Sequence, residues 1–326
     1  MKILVDWHRA QRNLLGAEKS ATNADWYCEQ RQTYQLPEDP NMFFGIPINT
    51  REVFGVLHIK GFVFDDTVLY SGASINNVYL QQHSKYRYDR YQKITSAELA
   101  DTMVDFIDRC LLDSSAVHPL DMAQRPRTKE IRAAIKAYRK GLAADAEYHI
   151  EHPVGFSDEL TISPLFGLGA TGNELNQVIE DLFQKVEREL VICTPYFNFP
   201  RTLQQKLTAR LAEGKKVEII VGDKTANDFY IPPEEPFKMA GALPYLYESN
   251  LRRFCEKFAA EIEQGLLTVR LWRDGDNSYH LKGVWVDDNY ILLTGNNLNP
   301  RAWRLDAENG LLIHDPKHQL REQALQ

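Results

Sequence analysis

Apolar and polar positions along this chain follow two periods. Residues 190–194, 217–221, 267–272 and 290–293 are short runs rich in leucine and β-branched residues, bounded by polar or turn residues, and each predicts a strand. Residues 173–189 and 200–212 carry apolar side chains at helical spacing, and Gly214 closes the second stretch. Residues 173–221 therefore read helix, strand, helix, strand, an α/β pattern with a mostly parallel sheet. Earlier in the chain, residues 1–6 predict a buried strand that runs into a polar stretch with Trp7, His8, Arg9 and Arg12, and residues 18–50 predict a connecting loop around at most a short helix. Ser96 is placed to cap a helix that presents Leu99, Met103, Phe106, Ile107 and Leu111 on one face. A Ser/Pro-containing break at 113–126 precedes a helical stretch at 128–146 with Ile131, Ile135, Tyr138 and Leu142 on one side, which reads as a bridging helix. Residues 225–244 are too rich in proline and aromatics to be regular and are expected to form a loop over a site. Beyond them, Tyr247, Leu251, Phe254, Phe258 and Ile262 share a helical face that reads as core, flanked by Arg252, Arg253 and Lys257.

Two further strand-like runs are versions of one another. Residues 58–66 read HIKGFVFDD and residues 280–288 read HLKGVWVDD, both following H-x-K-x4-D. On a strand, side chains alternate, so the His and Lys share one face and the first Asp lies on the other. An imidazole beside an ammonium group suits binding and attacking an anionic phosphorus. A lone H-x-K is most simply a chance polar pair on a strand; its recurrence is what gives it weight, because two such strands can face each other across one site. Each copy is followed by a return strand, at 67–70 and 290–293, and by a turn of small and polar residues. Residues 85–91 alternate charged and aromatic side chains, as a half-exposed strand would.

With 326 residues, 44% of them hydrophobic, the chain can bury the core of one large domain or two medium ones. A formal net charge of −7 argues against an enzyme that grips a polyanionic backbone, and no specific nucleic-acid partner is predicted. No apolar run is long enough to span a bilayer and no secretory signal pattern opens the chain, so a cytoplasmic location is expected. Cys28, Cys110, Cys193 and Cys255 form no C-x-x-C pair and read as buried thiols. His149 and His152 lack companions at ligand spacing and read as exposed loop histidines, so no metal is predicted. The glycines at 167, 169 and 172 match G-x-G-x-x-G, but Pro164 interrupts the preceding strand and the next strand ends in Thr194-Pro195 rather than in a ribose-binding acid. They read as a flexible approach to a helix, and no cofactor is predicted.

The paired H-x-K-x4-D pattern resembles the phospholipase D superfamily. The run from Thr294 to Glu308 is similar to the continuation found in its lipid-acting members, and segments 4–12, 22–28, 45–51 and 221–232 resemble the bacterial phosphatidylserine synthases of the phospholipase D type. The resemblance implies an α/β fold of two phospholipase D-like repeats, each a mixed, mostly parallel sheet flanked by helices, related by a pseudo-twofold axis. Residues 1–112 would form the first repeat, 113–155 a linker and bridging helix, and 156–326 the second repeat. The first repeat lacks counterparts of the helix, strand and helix at 173–212, so it is expected to be N-terminally incomplete, with an uncovered sheet edge.

The resemblance also implies a reaction: transfer of a phosphatidyl group from CDP-diacylglycerol to L-serine through a phosphohistidine. It places the nucleophile at His58 and the acid/base at His280, with Lys60 and Lys282 on phosphoryl oxygens and Asn76 and Asn297 as helpers. Glu308 would hydrogen-bond the second histidine and Asp89 the first. Asp65 and Asp287 are expected to brace the structure. Peripheral contact with an anionic inner-membrane surface, through residues 237–258, is expected. Another phosphatidyl transfer, a nuclease and an inactive scaffold are the rival readings.

Overall fold

The computed structural model describes residues 1–8, 23–34, 43–82, 84–120, 122, 125–150 and 158–324. Arg9, Arg12 and His152 lie outside the described residues.

In the first half, strand β1 (Ile3–Asp6), helix α1 (Asn23–Tyr34), and strands β2 (Phe43–Ile46), β3 (Phe62–Phe64), β4 (Thr67–Ser71), β5 (Arg87–Tyr88) and β6 (Tyr91–Thr95) lead to helix α2 (Ala97–Phe106). Ser96 accepts the Leu99 backbone N–H and starts α2, as its position before an amphipathic run predicts. Strand β7 (His118–Pro119) and helix α3 (Arg132–Asp145) complete this half. Its strands do not form one sheet. β1 pairs in parallel with β2, β2 antiparallel with β7, and β3, β4 and β6 make a separate antiparallel sheet.

The second half holds strand β8 (Thr161–Gly167), helix α4 (Glu174–Gln184), strand β9 (Glu189–Thr194), helix α5 (Arg201–Ala212), strand β10 (Lys216–Gly222), helix α6 (Leu243–Lys257) and strands β11 (Leu267–Trp272), β12 (Ser278–Tyr279), β13 (Gly283–Val286), β14 (Tyr290–Thr294) and β15 (Glu308–His314). Seven of these strands form one sheet in the order β11-β10-β9-β13-β14-β15-β8. Only the β9-β10 and β10-β11 pairings are parallel; the other four are antiparallel, which corrects the expectation of a mostly parallel sheet. The helix-strand alternation at 173–221 reports the parallel part, but the tight turn at 287–289 forces an antiparallel hairpin beside it.

Both faces are buried in the middle of this sheet, and the period-2 pattern decides which side chain goes where. Leu190, Ile192, Val217, Ile219, Val284 and Val286 pack with Leu175, Ile179 and Phe183 of α4, Leu203 and Leu207 of α5, and Phe254 of α6. Cys193, Trp285, Leu293 and Leu311 turn to the other face, where they meet Val68, Tyr70, Leu99 and Met103 of the first half. Each such fully buried aliphatic side chain contributes about 1.5–3 kcal/mol, so the halves are joined by a continuous core rather than by a linker alone. Helix α3 buries Ile135, Tyr138 and Leu142 in one cluster with Ile48 and Leu57 of the first half and Phe166, Leu168 and Ala307 of the second.

Neither H-x-K segment is in a strand, contrary to the strands expected at 58–66 and 280–288. Residues 58–61 precede β3 and residues 280–282 lie between β12 and β13. Their backbone hydrogen bonds go to the opposite half instead: His58 N–H to Ala307 O, Lys60 N–H to the Asn309 side chain, and His280 N–H to Tyr88 O. The apolar runs that suggested strands begin only after Gly61 and at Gly283. Residues 85–91, expected as one strand, split into β5 and the start of β6, and β5 pairs with β12.

Candidate active site

Two short pairings set the site. Leu57 bridges Ala307 in parallel, which sets Glu308 beside His58; β5 pairs with β12, which sets Asp89 beside His280. His58 Nδ1 lies 2.8 Å from Glu308 Oε2, and both residues are buried. A carboxylate only accepts, so Nδ1 donates, and in the neutral imidazole the lone pair is then on Nε2. His280 Nδ1 lies 2.9 Å from Asp89 Oδ2. These pairings cross the expected ones: Glu308 serves the first histidine and Asp89 the second. The reason is topological, since each motif leaves its own strand and takes its backbone partners from the other half.

The glycines at the ends of the return strands repeat this exchange. A Cβ on Gly72 would stand 3.0 Å from both Lys282 Nζ and Asp89 Oδ2, and one on Gly295 would stand 2.9 Å from Lys60 Cγ. Each lysine therefore packs against the turn of the opposite half, with no room for a side chain there. Lys60 Nζ donates to His58 O at 3.0 Å and Lys282 Nζ to His280 O at 2.6 Å. Asn309 holds Lys60 from both sides, accepting its N–H and donating to its carbonyl, each at 2.9 Å. Asp6 accepts the Leu57 N–H at 2.6 Å and anchors the approach to the first motif.

The second motif is crowded with charge. Burial, then the Lys282 ammonium, lower the His280 pKa to about 4, although Asp89 opposes them. Burial also lowers the Lys282 pKa to about 8, against the pull of Asp89 at 3.7 Å. Asp89 itself is held below its usual value: burial would raise it, but Lys282 and the His280 hydrogen bond outweigh that. The Tyr79 hydroxyl sits 2.9 Å from His280 Nδ1 and 3.0 Å from Nε2, and burial raises its pKa, so it stays a proton donor.

His58, Lys60 and His280 line one cavity of about 440 Å³, with Tyr79, Arg87 and Asp228 on its wall and Trp26, Phe62 and Ile75 among its apolar lining. Asn76 also lines it, but its side-chain oxygen is committed to the Val78 and Tyr79 N–H groups, so it shapes the turn that carries Tyr79. Asn297 is not in the lining; its backbone carbonyl accepts Thr194 Oγ1 at 2.9 Å. Asp287 accepts the N–H groups of Glu187, Arg188 and Glu189 at 2.7 Å, whereas exposed Asp65 makes no such set. Tyr79, Arg87, Asp228, Asp6 and Asn309 were not singled out from the sequence. Only Asn309 carried a signal, its place next to Glu308.

Among the described residues, no cluster of His, Cys, Asp and Glu could hold a metal ion, and no helix is long and apolar enough to cross a membrane. Cys110, Cys193 and Cys255 are free thiols. The glycines at 169 and 172 take positive φ at the approach to α4, with open space where a Cβ would stand.

Residues 179–325 match the family described as "Cardiolipin synthase, PLD-like domain". The chain is 79% identical over 320 residues to CDP-diacylglycerol–serine O-phosphatidyltransferase of Haemophilus influenzae, covering 98% of this chain and 70% of that one. It is 54% identical over 323 residues to the protein of that name from Escherichia coli, covering 99% and 70%. The chain belongs to the CDP-diacylglycerol–serine O-phosphatidyltransferase family, in its phospholipase D-like branch. A crystal structure of phosphatidylserine synthase from Haemophilus influenzae superposes with a TM-score of 0.94 at 78% identity, covering all of this chain and 72% of that one. The α/β fold with its antiparallel hairpins is thus the fold of this family.

Proposed function

We propose that the cavity carries out phosphatidyl transfer from CDP-diacylglycerol to L-serine, and that the crossed His58–Glu308 and His280–Asp89 pairs are its working parts. The reading is carried by His58: its Nδ1 donates to Glu308 at 2.8 Å, which in the neutral ring puts the lone pair on Nε2, and the residue lines the cavity. Nε2 attacks the phosphorus that bears diacylglycerol, an N–P bond forms, and the pyrophosphate P–O bond breaks with its electron pair leaving on CMP. Glu308 offsets the positive charge that develops on the imidazole. The departing group is a phosphate monoester whose second pKa is about 6, so it needs little proton assistance.

The second step needs a base, and a histidine with a pKa near 4 is neutral at pH 7. The serine hydroxyl takes the place of Tyr79's at His280 Nε2 and gives up its proton there. Its oxygen attacks phosphorus, and the N–P bond breaks with the pair returning to His58. Lys60, on the cavity wall, offsets charge on the non-bridging oxygens, and Lys282, buried beside His280, adds its positive charge from behind the wall. The apolar residues at the mouth, Trp26 and Ile75, are 54% and 64% exposed and suit the acyl end of the lipid. Contact with an anionic membrane surface extends to Phe237, Met239, Tyr245 and Leu246, which are exposed beside Lys238, Arg252 and Arg253.

The test uses CDP-diacylglycerol labelled in the diacylglycerol-linked phosphorus. Rapid acid-free quenching should leave label on the protein, serine should discharge it as phosphatidylserine, and His58→Ala should carry none. The His58→Ala and His280→Ala turnover rates should each fall at least about a thousandfold. Label retained by His58→Ala but lost from His280→Ala would reverse the two roles, and no labelled protein under any condition would sink the covalent route.

A further inference from the structure

The cavity wall holds a pair of opposite charges that the phosphoryl chemistry above does not use. Arg87 Nη1 lies 3.1 Å from Asp228 Oδ2, and both side chains are mostly buried. Arg87 is fixed on its other edge: Nε donates to Ser278 Oγ at 3.1 Å, Nη1 reaches the Tyr79 hydroxyl at 3.4 Å, and the guanidinium lies 5.0 Å from the centre of the Tyr79 ring. Among the described residues, these bonds use Nε and Nη1 and not Nη2. Asp228 Oδ1 is buried, and among the described residues it has no hydrogen-bond partner. An ionised oxygen taken out of water with nothing to accept from is costly, so its place on a cavity wall calls for a donor from a ligand.

The pair is also beside the reacting groups. Tyr79 links the Arg87 guanidinium to the His280 ring, and the Asp228 charge is among those felt by both His280 and Lys282. The loop that carries Asp228 is fixed by a short 3-10 turn, Lys224–Ala226, capped by Asp223, and by Asn227, whose side chain accepts the Phe229 N–H. The charges are thus held in place before a ligand arrives. A lipid tail needs neither of them, and a phosphate would be repelled by Asp228. A small zwitterion needs both, with a hydroxyl on the side of His280.

We propose that Arg87 and Asp228 form the pocket for the amino-acid acceptor: the guanidinium takes its carboxylate, Asp228 Oδ1 takes its ammonium group, and its hydroxyl is left at His280. This rests on the transfer reading above, and it names the groups that would choose serine over water, glycerol or an uncharged alcohol. A hydrogen bond to a charged group is worth a factor of about ten to a hundred, and a pocket built around two such bonds discriminates by more.

The experiment separates the half-reactions in the full chain. Exchange of labelled CMP into CDP-diacylglycerol without serine reads the first step alone, and phosphatidylserine formation reads both. Asp228→Asn keeps the shape and an oxygen for Arg87, but puts an amide donor where an ammonium group would bind. Its serine KM should rise about tenfold to a hundredfold, at least ten times more than CMP exchange changes, and its preference for serine over 3-hydroxypropionate should narrow. Arg87→Gln should instead narrow the preference for serine over ethanolamine. Thermal melting of each variant checks folding, and Asp228→Asn carries the test if Arg87→Gln proves unstable. If serine, ethanolamine and 3-hydroxypropionate reactions fall in parallel with CMP exchange, the pocket is wrong. If the unsubstituted protein shows no CMP exchange, it is the transfer reading itself that fails.

Discussion

Glu308 accepts a hydrogen bond from His58 across 250 positions of sequence, 2.8 Å from Nδ1, while Asp89 makes the mirror contact with His280 across 191. Each half of the chain therefore holds the carboxylate that orients the other half's histidine. Neither half contains a complete site, and any motion that separates them uncouples both histidines at once.

The crossed pairs predict which acid governs which step. Glu308→Gln weakens the support for the cation that forms on His58, so CMP exchange should fall about a hundredfold or more. Asp89→Asn should weigh mainly on the serine step through His280. Stopped-time assays of CMP exchange and of serine-dependent product in both variants check this. The reverse pattern, exchange lost in Asp89→Asn and kept in Glu308→Gln, would restore the uncrossed assignment.

Lys282 predicts an alkaline limit. Its pKa is lowered to about 8, so it is cationic below that pH and loses its charge as pH rises through it. The kcat/KM for CDP-diacylglycerol should be flat below about pH 7 and decline above about pH 8, while kcat declines later because bound phosphate favours the cation. Lys282→Arg carries a charge that does not titrate in this range, so its kcat/KM, though lower, should show no such decline. A pH profile of both proteins decides the matter, and an identical alkaline limb in the arginine variant would assign it to another group.

The two motif carboxylates should differ in what they hold. Asp287 takes three backbone N–H groups at 2.7 Å, while Asp65 is exposed and takes none of that kind among the described residues. Both sit at positive φ, which asparagine tolerates, so the backbone is not the variable. Asp287→Asn should cost about 2–4 kcal/mol, whereas Asp65→Asn should stay within about 0.5 kcal/mol. Urea unfolding midpoints measure both, and equal midpoints would show that the set around Asp287 adds nothing.

The proposed membrane contact is tested at Leu246, 51% exposed on helix α6. Leu246→Asp should reduce co-sedimentation with vesicles containing anionic lipid severalfold, with the melting temperature retained, since no buried contact is lost. Vesicle binding equal to that of the parent would move the contact surface elsewhere.

Much of the fold was legible because one physical signal dominated it. Strands β9, β10, β11 and β14 and helices α4 and α5 lie where β-branched runs and helical spacing place them, and Ser96 caps α2 as its setting predicts. The motif segments misled because Ile59 and Leu281 extend the apolar pattern of their neighbours, yet their backbone groups bond to the opposite half, a choice made by contacts far away in sequence. Local pattern also could not distinguish the parallel from the antiparallel members of the large sheet, since β9 of the parallel part and β13 and β14 of the antiparallel part are alike mostly buried.

What the residue order alone determined was the chemistry available: two imidazoles, two ammonium groups and carboxylates at recurring positions, because a repeated motif is visible without coordinates. Tertiary structure alone decided how they are partnered. Glu308 goes to His58, Asp89 to His280, and Arg87 to Asp228, because each pairing follows from a strand bridge or loop that joins distant segments, and no local periodicity encodes which distant segment that will be.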